Sequence, residues 1–225
     1  MKKFGNDNFK PVKLGITGGV GSGKSVVCEY LKNKGLHVVS TDELARKAVM
    51  PGTSAYDQIV SYFGEDVLSD DGTLNRKKLR GIITADKKKK EMLELFVHPE
   101  VFVQMEKEFE ASGKRRYAVI AFEVPLLFET GLEFFFDFVL TVSVNADVRA
   151  KRLMSRDQIT KKEAEAFMGI QMPEADKIKK SDFVVDNNGS LEETRVKVDR
   201  FYEILMDRIK KDKNERKRVD TRKNV

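Results

Sequence analysis

Residues 12–25 read Val12-Lys-Leu-Gly-Ile16-Thr-Gly18-Gly-Val20-Gly-Ser22-Gly-Lys24-Ser25. The first six are a short, mostly apolar run of the length of a buried strand. The last eight fit G-x-x-x-x-G-K-[ST], the spacing of a phosphate-binding loop between a strand and a helix. Glycines let successive backbone N–H groups curl around phosphate oxygens, and the helix that follows aims its positive dipole end at the same charge. In this reading Gly18, Gly19, Val20, Gly21, Ser22 and Gly23 form the cradle. Lys24 adds a point charge at the β/γ-phosphates, and Ser25 supplies a hydroxyl to the Mg²⁺ that bridges them.

Outward from this loop, apolar runs alternate with amphipathic segments, the order of an α/β fold with helical crossovers. Strands are expected at Val12–Thr17, His37–Ser40, Tyr117–Phe122, Phe138–Val144 and Phe183–Asp186, enough for a doubly wound five-stranded parallel sheet. Residues 51–116, with helical spacing at Leu79, Ile82, Ile83 and at Met92, Leu93, Phe96, read as an inserted helical lobe within a single domain. Residues 146–181, dense in charge and holding the capping-box pattern Thr160–Glu163, read as a lid. A second box, Ser190–Glu193, opens a last helix with Val198, Phe201 and Leu205 on its apolar side. The nucleotide core then comprises 12–50, 117–145 and 182–207.

The chain has 225 residues, 40% hydrophobic and 35% charged, with 5 Pro. This composition excludes collagen-like and wholly disordered classes. No apolar run reaches the roughly 18 residues of a membrane span, and the N-terminus lacks a signal-peptide core, so a cytoplasmic, membrane-free protein is expected. The single cysteine, Cys28, cannot form an internal disulfide and reads as a small buried hydrophobe. The net charge of +6 lies in residues 208–225, which carry nine Lys/Arg against three Asp/Glu, so the body of the chain is neutral. Such a tail reads as a solvated helix end and not as a nucleic-acid site.

Further residues suit phosphoryl transfer. Asp42 follows the second strand, at the carboxyl edge where ligands of such sheets gather. It could take the proton of an acceptor hydroxyl, or cap the helix Glu43–Met50. Arg149, Arg152 and Arg156, spaced i, i+3, i+7, share one helix face suited to phosphates, although such a face is also common as a solvated surface. A guanine-nucleotide switch is disfavoured: Asp186-Asn-Asn-Gly189 lies late in the chain, and no N-K-x-D motif exists.

The ordered set Ile16–Ser25, Thr41-Asp-Glu-Leu-Ala-Arg46, Pro51-Gly52, Phe63-Gly64, Asp71-Gly-Thr-Leu74, His98-Pro99, Val124-Pro-Leu-Leu-Phe-Glu129, Arg152-Leu-Met-Ser-Arg156, Gln171-Met172 and Asp186-Asn-Asn-Gly189 resembles the dephospho-CoA kinases, over residues 12 to about 205. The resemblance implies a P-loop kinase that moves the γ-phosphoryl of ATP, with Mg²⁺, to the ribose 3′-hydroxyl of dephospho-CoA, the last step of coenzyme A synthesis. It implies Asp42 as catalytic carboxylate, Arg46 as a substrate contact, and Arg152 and Arg156 as lid arginines. It places His98, Pro99, Leu126, Leu127, Phe128 and Glu129 at the CoA site and Asn187 near the adenine. The alternative is another small-molecule P-loop kinase, for nucleosides or nucleotides. Several positions depart from the family pattern. Val26 stands where Thr is common, removing a hydroxyl from the nucleotide site, Ser40 leaves Asp42 as the lone carboxylate at its strand end, and Phe167 replaces a common Arg. Glu123, where Asp is common, is expected to help organise Mg²⁺ through water.

Overall fold

The computed structural model describes residues 10–115 and 117–223, with side chains to residue 211. Its centre is a five-stranded sheet of β1 (Val12–Thr17), β2 (His37–Ser40), β3 (Val119–Glu123), β4 (Phe138–Ser143) and β5 (Phe183–Asp186), in the order β2-β3-β1-β4-β5. The pairs β1–β3, β1–β4 and β4–β5 are parallel. The strand order reverses at β1, so its carboxyl end is the switch point where ligands of doubly wound sheets bind. The loop of residues 18–25 leaves from that end.

Alternation along the strands assigns the two faces. Leu14, Ile16, Val119, Ala121, Leu140 and Val142 point to one side, where α1 (Lys24–Asn33) adds Val27, Cys28 and Leu31, and α9 (Leu191–Lys223) adds Val198, Phe201, Leu205 and Ile209. On the other side Phe122 meets Phe135 and Phe136 with ring centroids 5.8 and 6.0 Å apart. Gly15 permits that packing: a Cβ there would lie 2.7 Å from Leu127 and 2.9 Å from Phe136. The lid expected at 146–181 is three helices, α6 (Ala146–Asp157), α7 (Lys161–Gly169) and α8 (Glu174–Lys180). Both capping boxes form, Thr160 with Glu163 and Ser190 with Glu193.

A second compact unit runs from Val39 to Arg115. It holds α2 (Thr41–Ala48), α3 (Ser54–Phe63), α4 (Arg76–Ala85) and the 28-residue α5 (Lys87–Lys114). Three of these helices start on side-chain caps, Thr53, Asn75 and Asp86, each accepting a first-turn N–H. Ile59, Val67, Leu74 and Leu79 form its core. The unit begins twelve residues earlier than the expected 51, because α2 buries Leu44 and Ala48 and packs along α5. Asp42 and Arg46 therefore belong to the helical unit and not to the sheet unit. No described helix is long and apolar enough to cross a membrane. The tail runs on in α9 to Lys223; its side chains beyond 211, and residues 224–225, lie outside the described residues.

Candidate active site

The loop after β1 has the backbone that its glycines foretell. Gly18, Gly21 and Gly23 have φ of 153°, 76° and 83°, in the region that disfavours a Cβ. Gly18 is closed in by the Val142 carbonyl, Gly19 by the Arg149 guanidinium and Gly23 by the Asn187 amide, so a side chain at any of them would collide. α1 begins at Lys24 with no side-chain cap, leaving first-turn N–H groups for a ligand. The Ser22 hydroxyl is buried in the loop without a hydrogen-bond partner. Such a cradle of small residues, orphan donors and a helix N-terminus fits an anionic phosphate chain.

The Lys24 ammonium folds back onto this loop and donates to the carbonyls of Gly18 (2.9 Å) and Gly19 (3.1 Å). Burial lowers its pKa from 10.5 to about 8; Glu123 and Cys28 oppose the shift, while Lys177 and Arg149 add to it. Cys28, one turn further on, is buried, and its thiol is pushed up to about 12 by that burial and by Glu123. It is a packing residue without thiolate chemistry. Ser25 and Val26 are exposed, Val26 at 43%.

The three arginines of α6 have separate tasks. Arg149 is 5% exposed and lies beneath the loop, paired with Glu174 at 3.1 Å. Arg152 is half-buried; it donates to the Asn187 carbonyl at 3.0 Å and to that of Ser22 at 3.5 Å. Arg156 is exposed and holds its neighbour Asp157 through two 2.7 Å bonds. Hydrogen bonding from Arg156 keeps the Asp157 carboxyl below its ordinary range. The three arginines do not form one shared phosphate-facing surface, since chain-distant partners direct Arg149 and Arg152 while Arg156 turns to its neighbour Asp157. Asn187 is likewise engaged: its amide donates to the Ser22 carbonyl (2.8 Å) and accepts from Thr194 (2.6 Å), which fixes the loop to the start of α9.

Of the expected acceptor residues in the sheet unit, Leu127 and Phe128 are buried in the core and Leu126 is 44% exposed. Glu129 accepts from the Met172 N–H (2.9 Å) and meets the fully buried Lys177 at 2.7 Å. Burial works against its carboxylate, but the Lys177 ammonium and the Met172 N–H hold its pKa below the ordinary value. In the helical unit Asp42 and Arg46 are exposed on one face of α2, and His98 and Pro99 are exposed on α5. Asp42 lies inside the first turn of α2, whose N-cap is Ser40, so the capping role is not its own. Among the described residues no group of three or more His, Cys, Asp or Glu could hold a metal. Sequence reading missed Gln171, which accepts from the Val20 N–H of the loop, and Glu174, which holds Arg149 beneath it; their only signal is chain-distant pairing, which spacing does not reveal.

A family model described as dephospho-CoA kinase matches residues 12–193. The chain is 44% identical over 190 residues to a dephospho-CoA kinase of Listeria innocua, covering 84% of this chain and 95% of the relative. It is 42% identical over 183 residues to one of Shouchella clausii, covering 81% and 93%. Among solved structures it is similar to a dephospho-CoA kinase of Campylobacter jejuni, with a TM-score of 0.67 and 26% identity over 86% of this chain and 96% of that one. It is also similar to TT1252 of Thermus thermophilus, with a TM-score of 0.75 and 30% identity over 88% and 98%.

Proposed function

Because the chain belongs to the dephospho-CoA kinase family, we infer that it transfers the γ-phosphoryl group of ATP to the ribose 3′-hydroxyl of dephospho-CoA, giving coenzyme A and ADP. The observation that carries this reading is the cradle of Gly18–Gly23 with the Lys24 ammonium folded onto its carbonyls. An arriving phosphate chain offers Lys24 an acceptor stronger than two neutral carbonyls. Another P-loop kinase, for nucleosides or nucleotides, is not favoured, because the family match runs through both units and the lid.

Each residue has a role in this proposal. The loop N–H groups and Lys24 hold the β- and γ-phosphates, and the Ser25 hydroxyl is assigned to Mg²⁺. Bound Mg²⁺ would neutralise charge on the phosphate oxygens. Arg152 and Arg156 are assigned to the transferring group, Arg156 by exchanging Asp157 for phosphate. Asp42 takes the proton of the acceptor hydroxyl, with Arg46, His98, Pro99 and Leu126 on the acceptor side. Leu127 and Phe128 brace the turn that carries Leu126, and Glu129 anchors it. Asn187 shapes the loop from below. The test is ADP release from ATP with Mg²⁺, offering dephospho-CoA, adenosine, AMP and shikimate in turn. Turnover is expected with dephospho-CoA alone, and equal or faster turnover with AMP would overturn the assignment.

A further inference from the structure

Val20 sits between Gly19 and Gly21, at the most freely jointed point of the loop. Both polar groups of its backbone are nonetheless taken. Its N–H donates to Gln171 Oε1 at 2.7 Å, and its carbonyl accepts from Arg149 Nε at 3.0 Å. Arg149 reaches Gln171 Oε1 again through its second terminal nitrogen at 3.4 Å, and Glu174 Oε2 through its first at 3.1 Å. Glu174 in turn accepts from the Val144 N–H at 3.3 Å, at the end of β4. The guanidinium occupies the space that a Cβ on Gly19 would need.

We propose that Arg149 and Gln171 are positioning residues that clamp the tip of the phosphate loop from below. This rests on the reading of that loop as the ATP site. A glycine-rich loop free in solution must lose conformational entropy to line up its N–H groups on phosphate. The clamp orders the tip before the ligand arrives, so phosphate affinity depends on two side chains that do not contact phosphate. Sequence spacing puts Arg149 on a helix face suited to phosphates or to solvent; its burial and its three partners give it this other task.

Calorimetric titration of the full chain with ADP tests the proposal. Gln171→Leu keeps the volume but leaves the Val20 N–H without its acceptor, and ADP binding is expected to weaken about tenfold, the size of one unsatisfied buried donor. Dephospho-CoA binding should stay within about twofold. Gln171→Glu restores an acceptor for the N–H and a partner for Arg149, and should return most of the affinity. Arg149→Gln removes a cation that, with Lys177 and against Glu123 and Cys28, bears on Lys24. It should therefore move the alkaline midpoint of ADP binding upward, and the recovery in Gln171→Glu, which keeps the loop packed, separates the clamp from a loss of packing. Unchanged ADP affinity in Gln171→Leu overturns the clamp, as does equal weakening for both ligands or failure of Gln171→Glu to recover. If the unaltered chain binds no ADP, the donor-site reading fails instead. Should Arg149→Gln not fold, the two Gln171 variants decide.

Discussion

Lys24 sets how the site responds to pH. With its pKa lowered to about 8, it is charged in the free protein below that value and progressively neutral above it. Phosphate favours the ammonium form, so the complex holds a proton that the free protein has begun to lose. ADP affinity should be flat below pH 8 and fall by about tenfold per pH unit above it. At pH 8 binding should take up part of a proton, read as a dependence of calorimetric heat on the ionisation enthalpy of the buffer. Affinity that is flat to pH 9.5 would show that the Lys24 charge does not hold phosphate. Lys24 and Ser25 were legible from spacing alone, since local geometry places them next to the cradle. Arg149 was not: its direction is set by Glu174 and Gln171, more than twenty residues away in the chain, and i, i+3, i+7 spacing carries no record of such partners.

All five strands were readable, because a buried parallel strand is a short apolar run rich in Val, Ile or Phe. Their ends differ by no more than two residues from the expected ones. Both capping boxes were readable for the same local reason. α2 was less so: it begins at Thr41, capped at Ser40, which moves Asp42 from the expected cap into the first turn. There a carboxylate interacts favourably with the helix dipole, worth about 0.3–1 kcal/mol at an exposed site. Asp42→Asn should therefore lower the melting temperature by only a few degrees. If Asp42 accepts the acceptor's proton, kcat should fall by roughly 10²–10⁴-fold while ADP affinity is kept. Near-normal kcat would leave transfer to positioning and electrostatics, which a loose transition state allows.

At the scale of the molecule, composition alone indicated a folded chain with its excess charge in the tail, but not where one unit ends. The helical unit starts at Val39 because α2 finds its apolar partner in α5, a contact between helices some forty residues apart. The tail has its own boundary: Ile209 is buried in the core of α9 and the sheet, so the body extends past 208. A chain ended after Lys211 keeps Ile209 and lies beyond the family match at 193. It should retain kcat within about twofold and its melting temperature within a few degrees, and a large loss of kcat in a folded chain would give the tail a working role. The interrupted sheet also bears on how the chain is made. β1 lies between β3 and β4, and neither exists until the ribosome has passed residue 115. At about 5–20 residues per second, β1 and α1 wait several seconds after leaving the exit tunnel with Leu14, Ile16, Val27 and Leu31 uncovered, while the contiguous stretch 39–115 can close first. The strand that leads into the phosphate loop thus waits, during synthesis, for neighbours that the chain supplies about a hundred residues later.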